Sequence, residues 1–327
     1  MKSIHLFLRA LPVALAAIVV APVKAQPAFP VKTIAVVVAY PPGGDTDAIA
    51  RLFADRLATR LKQGVIVENR AGAGGVVGNA YVGRAAPDGY TLLFTPNPFT
   101  TAPMVMKLPP ASSYDVLNGF EPIIKTAVQP LVLVAHPSTG FRAIADMVAA
   151  ARGGKPVSYG SPGAGSPMHV VAEWLNKVAG IKAVHVPYRG VGPSVTDVVA
   201  GHIATAWVTL GPVTQYFQQA RLVPLAIGDA QRSSLSPQIP TLVEQGYRDV
   251  IVGAWNGFFA PRGTPAAVVT LLNEHLNEIL KAPDVIEQLA NFGAQPAGGA
   301  PALLARTNQQ DYEVMGRIIR ELGISVE

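Results

Sequence analysis

The chain has 327 residues, half of them apolar, no cysteine and a formal charge of +5. That length supports roughly two domains with real cores. The missing cysteine excludes disulfides, thiol chemistry and cysteine-ligated metals, and the lack of a basic block with interleaved aromatics argues against nucleic acid as a partner.

The first predicted element is an export signal. Lys2 and Arg9 make a positive start, and Ala10 to Val23 is apolar but short and broken by Pro12 and Pro22. Val23-Lys24-Ala25 places cleavage after Ala25, and no cysteine follows to take a lipid anchor. The alternative is an uncleaved anchor helix. Cleavage removes Lys2, Arg9 and Lys24 but no acid, which leaves a mature charge of +2, so the high whole-chain pI says little about partners. No later stretch offers the about 20 uninterrupted apolar residues of a membrane span. The mature protein is therefore expected to be soluble and periplasmic.

Thr33–Ala39 is a continuous β-branched run that predicts a buried strand. After Tyr40-Pro41-Pro42-Gly43-Gly44-Asp45-Thr46-Asp47, the residues Ile49, Leu52, Phe53, Leu57 and Leu61 recur at helical spacing. The motif is thus a glycine-bearing turn from strand to helix. It aims free backbone N–H groups and the positive end of the helix dipole at one point, where an anion belongs. A tight turn needing glycine for its dihedrals is the plainer explanation. Asp45 and Asp47 suit a helix N-terminus without any catalytic role and should turn sideways onto backbone amides or accept from a ligand donor.

Val65–Val67 reads as a strand, Gly78–Ala86 as a helix and Tyr90–Thr95 as a strand. Proline-rich loops follow at 96–98 and 109–110, and Pro122–Ala135 holds a strand at Leu131–Val134. A second block repeats the device. Strand 157–159 leads through Ser161-Pro162-Gly163-Ala164-Gly165-Ser166 into a helix over Met168–Val178, and strand 183–186 leads through Pro187–Gly190 into a helix over 194–200. Strands at 203–208 and 222–227 complete it, and the C-terminal third reads as helical, with stripes over 264–280 and 301–322. Alternating strands and helices predict an α/β fold with mostly parallel sheets. Its glycine turns lie at the carboxyl ends of strands, facing each other across a cleft between two lobes.

Few residues suggest catalysis. Ser161 and Ser166 lie outside any Gly-x-Ser-x-Gly elbow, and Ser166 is placed to cap a helix. His136, His169, His185 and His202 lack metal-ligand spacing, although His169 in the first helical turn is within reach of a bound anion. Gly72-Ala73-Gly74-Gly75-Val76-Val77-Gly78 has the wrong spacing for a dinucleotide fingerprint, and no Walker A sequence occurs. No cofactor is expected.

Several motifs in order resemble one family. They are Pro41-Pro42-Gly43-Gly44 with Thr46-Asp47 and Ala50-Arg51; Val67-Glu68-Asn69-Arg70-Ala71-Gly72-Ala73-Gly74-Gly75, where proline is more usual at Ala71; and Pro87-Asp88-Gly89-Tyr90-Thr91-Leu92-Leu93. Tyr159–Ser166, His185–Gly190, Ile239-Pro240-Thr241 with Glu244, Trp255 with Gly257, and Ala260–Pro265 continue the set. Together they resemble the Bug receptors, the extracytoplasmic solute-binding components of tripartite tricarboxylate transporters, from about residue 30 to the C-terminus.

The resemblance implies a two-lobed periplasmic binding protein fold, type II-like, with lobes at 26–124 plus 229–327 and at 125–228. It implies a small carboxylate ligand, membrane transporter subunits as partners and a monomer that is not an enzyme. A carboxylate would be held at Tyr40, Gly43, Gly44 and Asp47, faced by Ser161, Gly165, Ser166 and the Tyr188–Gly190 turn. Asn97, His169 and Thr209 complete the expected set. Relatives often carry an aromatic residue and aspartate where Val208-Thr209 stands here. That departure disfavours amino acids and favours plain carboxylic acids. Phe99 hints at an aromatic or apolar ligand body. The competing readings are an exported α/β hydrolase or lyase, and a receptor feeding a sensor kinase.

Overall fold

The computed structural model describes residues 29–325; the export signal and its cleavage after Ala25 lie outside the described residues. Two sheets carry the fold. The first contains β1 (Ile34–Val38), β2 (Val65–Asn69), β3 (Thr91–Pro96), β4 (Phe120–Gln129), β10 (Ala254–Pro261) and β11 (Gln295–Pro296), in the order β11-β4-β10-β3-β1-β2. The second contains β5 (Leu131–Ala135), β6 (Ser158–Ser161), β7 (Val184–Pro187), β8 (Thr205–Thr209) and β9 (Val223–Ile227), in the order β7-β6-β8-β5-β9.

The α/β reading holds, but the sheets are mixed rather than mostly parallel. The glycine-turn strands pair in parallel, β1 with β2 and β3, and β6 with β7 and β8. The strands that carry the chain between lobes run antiparallel: β4 and β10 in the first sheet, β5 and β9 in the second. Each lobe therefore keeps parallel strands where the turns must share an edge. Antiparallel strands serve where the chain leaves and returns.

The helices are α1 (Asp45–Leu61), α2 (Val76–Gly83), α3 (Pro98–Val105), α4 (Ile144–Arg152), α5 (Pro167–Ala179), α6 (Val191–Ala200), α7 (Thr214–Gln218), α8 (Ala266–Leu280), α9 (Pro283–Asn291) and α10 (Pro301–Leu322). Two departures from the sequence reading stand out. The proline-rich stretch after β3 is a helix, α3, opened by Pro98 in its first turn, where a missing N–H costs nothing. The C-terminal third is not all helical. It contributes β10, whose eight residues are all buried between β3 and β4. A strand covered on both faces shows no polar alternation, and Asn256, Gly257 and Pro261 dilute its β-branched signature.

The first sheet is covered on one face by α1 and α8, with Phe53, Leu57, Leu272 and Leu276 buried against Ile34, Val36 and Phe258. Its other face buries Val37, Phe99, Phe259 and Leu304. Phe99 is fully buried and stacks on Phe259 at 4.9 Å and on Tyr114 at 5.4 Å, so it is core and offers no face to a ligand. The second sheet buries Leu133 and Trp207 against Met147, Val171 and Leu175 of α4 and α5.

The chain passes between sheets at Pro130 and again at Gly253. The expected boundary after residue 124 falls inside β4, which stays paired with β10 as far as Gln129. The segment after β9 packs on the second lobe: Thr241 bridges to Ile227, and Leu242, Val250 and Val252 join the core around Trp207. A third link is α10. Leu304 packs in the first lobe, while Met315, Ile318 and Ile319 pack in the second, where Lys177 pairs with Glu321 at 2.9 Å.

Candidate ligand site between the lobes

Both glycine turns sit at carboxyl ends of parallel strands, as α/β ligand sites do. In the first lobe, β1 ends at Val38, and Tyr40–Gly44 turns the chain into α1. Gly43 holds a φ of +83°, which requires glycine, whereas Gly44 caps the helix at φ −86°, which any residue adopts. A Cβ on Gly44 would touch only the Pro41 carbonyl, at 4.0 Å, so its Cα faces open space. Asp47 is buried and turned sideways, as its position in the first turn predicted. Its carboxylate accepts from Gly43 N (2.9 Å), Arg51 Nε (3.0 Å) and Asn69 Nδ2 (2.8 Å). Burial opposes ionisation, but these hydrogen bonds and the Arg51 charge outweigh it and hold the carboxyl below its ordinary range. Asn69 also donates to Tyr40 O (3.1 Å), and the Tyr40 hydroxyl donates to Gly74 O (3.0 Å), which ties the second glycine motif to the first. Asp47 thus braces the turn and leaves the helix N-terminus to face outward.

The second lobe builds the matching turn from uncharged groups. Ser166 caps α5: its Oγ accepts from His169 N (3.2 Å) and donates to Gly163 O (2.7 Å). His169 Nδ1 accepts from Gly165 N at 3.0 Å. The Ser161 hydroxyl meets His185 Nε2 at 2.7 Å, and the two imidazoles stack with centroids 3.9 Å apart. Burial lowers His169 to about 4; burial, then the neighbouring His169, lowers His185 to about 4. Both rings are neutral at pH 7. Tyr159 stacks on His185 at 5.0 Å and hydrogen-bonds Glu173, closing the array.

The Tyr188–Gly190 turn packs alongside. Tyr188 N donates to Ser161 O (2.9 Å), Gly190 N donates to Pro162 O (3.1 Å), and the Tyr188 hydroxyl donates to Asp197 (2.6 Å), its phenol pushed up to about 12 by burial and that bond. Asn97 precedes α3, but its side chain, instead of capping the helix, donates to Gly253 O (3.0 Å); Thr209 ends β8 beside the first crossing. The lobes meet on two flanks. Thr101 of α3 donates to Gly165 O at 3.1 Å. On the other flank Gly211 and Gly293 approach so closely that a Cβ on Gly293 would lie 2.1 Å from Gly211 N.

The twelve expected residues lie at strand ends, turns and helix starts of the two lobes; Gly165 touches Thr101 of the other lobe, and Asn97 and Thr209 stand beside the crossings. Asp47 and His169 spend their side chains bracing their own turns. The sequence reading missed Arg51 and Asn69 as braces, although both stood in quoted motifs, and missed His185, Gln129 and Asn256. An asparagine amid Trp255, Phe258 and Phe259 is a signal, hidden where the stretch reads as part of a helical third. Two surface hollows of about 390 and 410 Å³ lie elsewhere, one below the starts of α8 and α10 and one along α1 and β2; neither is lined by a glycine turn. Among the described residues no three His, Asp or Glu side chains gather to hold a metal, and no helix is long and apolar enough to cross a membrane.

Two lobes, each with a glycine turn leading from a parallel strand into a helix, define a solute-binding protein of the periplasmic two-lobed class. The chain belongs to the tripartite tricarboxylate transporter family of receptors, whose TctC domain it matches over residues 49–324. It is 34% identical to protein BugT of Bordetella pertussis over 313 residues, 94% of each chain. The fold is similar to that of Rhodopseudomonas palustris Rpa4515 with adipate (TM-score 0.81, 28% identity, 91% of this chain and 99% of that one). It is also similar to MatC of that organism with bound malate (TM-score 0.77, 29% identity, 89% and 100%). The family is one of solute-binding receptors, and the chain is not an enzyme.

Proposed function

We propose that this receptor works in the periplasm, after cleavage behind Ala25, as a monomer that captures a small carboxylic acid and delivers it to the membrane subunits of a tripartite transporter. The ligand class follows from relatives solved with adipate and with malate, two dicarboxylates that differ in length and substitution. One carboxylate sits at the start of α1 against the main-chain amides after Gly44. The start of α5, with Ser161, Gly165 and Ser166, closes on it from the second lobe; Tyr188, Gly190, Asn97 and Thr209 line the flanks, while Tyr40, Gly43, Asp47 and His169 hold the two turns in shape. Charge-assisted hydrogen bonds are worth roughly 1.5–3 kcal/mol each. Three or four of them, less association costs, reach micromolar binding without a buried arginine.

The observation that carries this reading is the open Cα of Gly44 at a helix N-terminus whose bracing carboxylate has turned aside. Gly44→Val is the test. The φ there suits valine and no atom blocks it, so the variant should fold, with a melting temperature within a few degrees of wild type, yet lose carboxylate binding by about 100-fold or more by calorimetry. Unchanged affinity for a bound acid would refute the amide site. N-terminal sequencing of the periplasmic protein should begin at Gln26.

A further inference from the structure

Among the described residues seven buried side-chain polar atoms lack a protein partner, and five cluster where the chain crosses between lobes: Asn97 Oδ1, Gln129 Nε2, Thr209 Oγ1, Asp229 Oδ2 and Asn256 Oδ1. Gln129 closes the last rung of β4 opposite Ala254, and its Oε1 accepts from Asn256 Nδ2 at 2.8 Å. Asn97 leans on Gly253 O at 3.0 Å. Thr209 stands opposite Leu131, and the next residue, Leu210, donates to Pro130 O at 3.1 Å. A Cβ on Gly253 would lie 2.3 Å from Asp229 Oδ1, so that carboxyl touches the return crossing. Asn97, Gln129, Thr209 and Asn256 are all more than nine-tenths buried.

A buried polar atom without a partner costs about 1–3 kcal/mol, so five in one place call for a common explanation. Their chemistry narrows it. The Gln129–Asn256 amide pair presents one free donor and one free acceptor whichever way the two amides are turned. Asn97 offers an acceptor, and the Thr209 hydroxyl both donates and accepts. A carboxylate, which only accepts, would meet the oxygens of Asn97 and Asn256. An ammonium, which only donates, would meet an amide N–H₂. A hydroxyl group satisfies both kinds at once. Burial pushes the Asp229 carboxyl up to about 7, opposed by the Leu131 amide, which lessens the negative charge beside the cluster on the acid side of neutral.

Resting on the carboxylate reading above, we propose that this hinge cluster reads a hydroxyl substituent, so that the receptor's ligands are hydroxy acids, with the acid group at the α1 turn and the hydroxyl beside Thr209 and Gln129.

The test uses three matched pairs in calorimetric titrations of the whole mature receptor: succinate and malate, adipate and 3-hydroxyadipate, benzoate and 4-hydroxybenzoate. In the pair that binds, the hydroxylated member should be tighter by about tenfold or more, because a site built for a hydroxyl penalises its absence. Thr209→Val, isosteric and at home in a strand, should erase that preference to within about threefold, and Thr209→Ser should restore it. A wild-type ratio near one, or a preference that survives Thr209→Val undiminished, overturns the hydroxy-acid assignment while leaving the carboxylate reading standing. Failure of every acid to bind overturns both.

Discussion

At the first glycine turn a charged group does the bracing: Asp47 grips the Gly43 amide and is itself gripped by Arg51 and Asn69. At the second, neutral groups do it: His169 accepts the Gly165 amide, Ser166 caps the helix, and Ser161 leans on His185. Both arrangements put a glycine turn between the carboxyl end of a parallel strand and a helix start, so the geometry is shared and the chemistry is not. The difference matters because the two braces answer acid in different pH ranges. Asp47 has a lowered pKa, so its contribution is fully present above the ordinary carboxylate range and is lost only as the pH falls through that lowered value. The histidines also have lowered values, but a histidine accepts charge on protonation. The unfolded chain binds their protons first, so stability is lost as the pH falls from the unfolded value of 6.5 to about 4.

The sharpest way to break this comparison is to remove the charged brace. Asp47→Ala leaves Gly43 N, Asn69 and the Arg51 guanidinium without their common acceptor. A severed buried pair costs about 3–5 kcal/mol, and half-exposed Arg51 puts this case at the low end. Denaturant unfolding should show a loss of about 3 kcal/mol, and a loss below about 1 would mean the turn is held by something else. Next comes acid. Between pH 7 and 4 each lowered imidazole should cost the wild type up to about 3 kcal/mol, less the solvent screening at the partly exposed His185. His169→Gln, which keeps an acceptor near Gly165 N but carries no proton switch, should flatten that limb. An equally steep limb in the variant would assign the acid sensitivity elsewhere.

The turns themselves were legible in the sequence because they are local. A β-branched run, glycines and a helical stripe within thirty residues specify β1, the turn and α1, and the same holds for β6 and α5. The sideways course of Asp47 followed from electrostatics alone. What was not legible is what comes from elsewhere in the chain. β10 is identified by its neighbours β3 and β4, not by its own pattern, and the parallel expectation failed because β4, β5, β9 and β10 run antiparallel as they ferry the chain between lobes. α3 reads as a loop in the sequence because proline at a first turn looks like a break. The hinge amides Gln129 and Asn256 lie 127 residues apart and meet only in three dimensions.

Asp45 sharpens the comparison from the other side, since it is the one charge at the first turn without a brace of its own. It sits in the first turn of α1, half-buried, with no hydrogen bond to any described residue, and burial raises its carboxyl above the ordinary value of 3.8. A raised carboxyl means the folded state holds the proton more tightly, so its ionisation removes stability as the pH rises from that ordinary value through the raised one. A carboxylate arriving at the same helix start would raise Asp45 further by like-charge repulsion. Binding should therefore take up a proton and tighten as the pH falls through the raised Asp45 value, for as long as the ligand acid stays ionised. Asp45→Asn should remove the repulsion, strengthening acid binding at pH 7 by about threefold, a change of roughly 0.6 kcal/mol, and levelling that pH dependence. Weaker binding in Asp45→Asn would instead mean that this carboxylate accepts a hydrogen bond from the ligand, and that the first turn reads a donor as well as an anion.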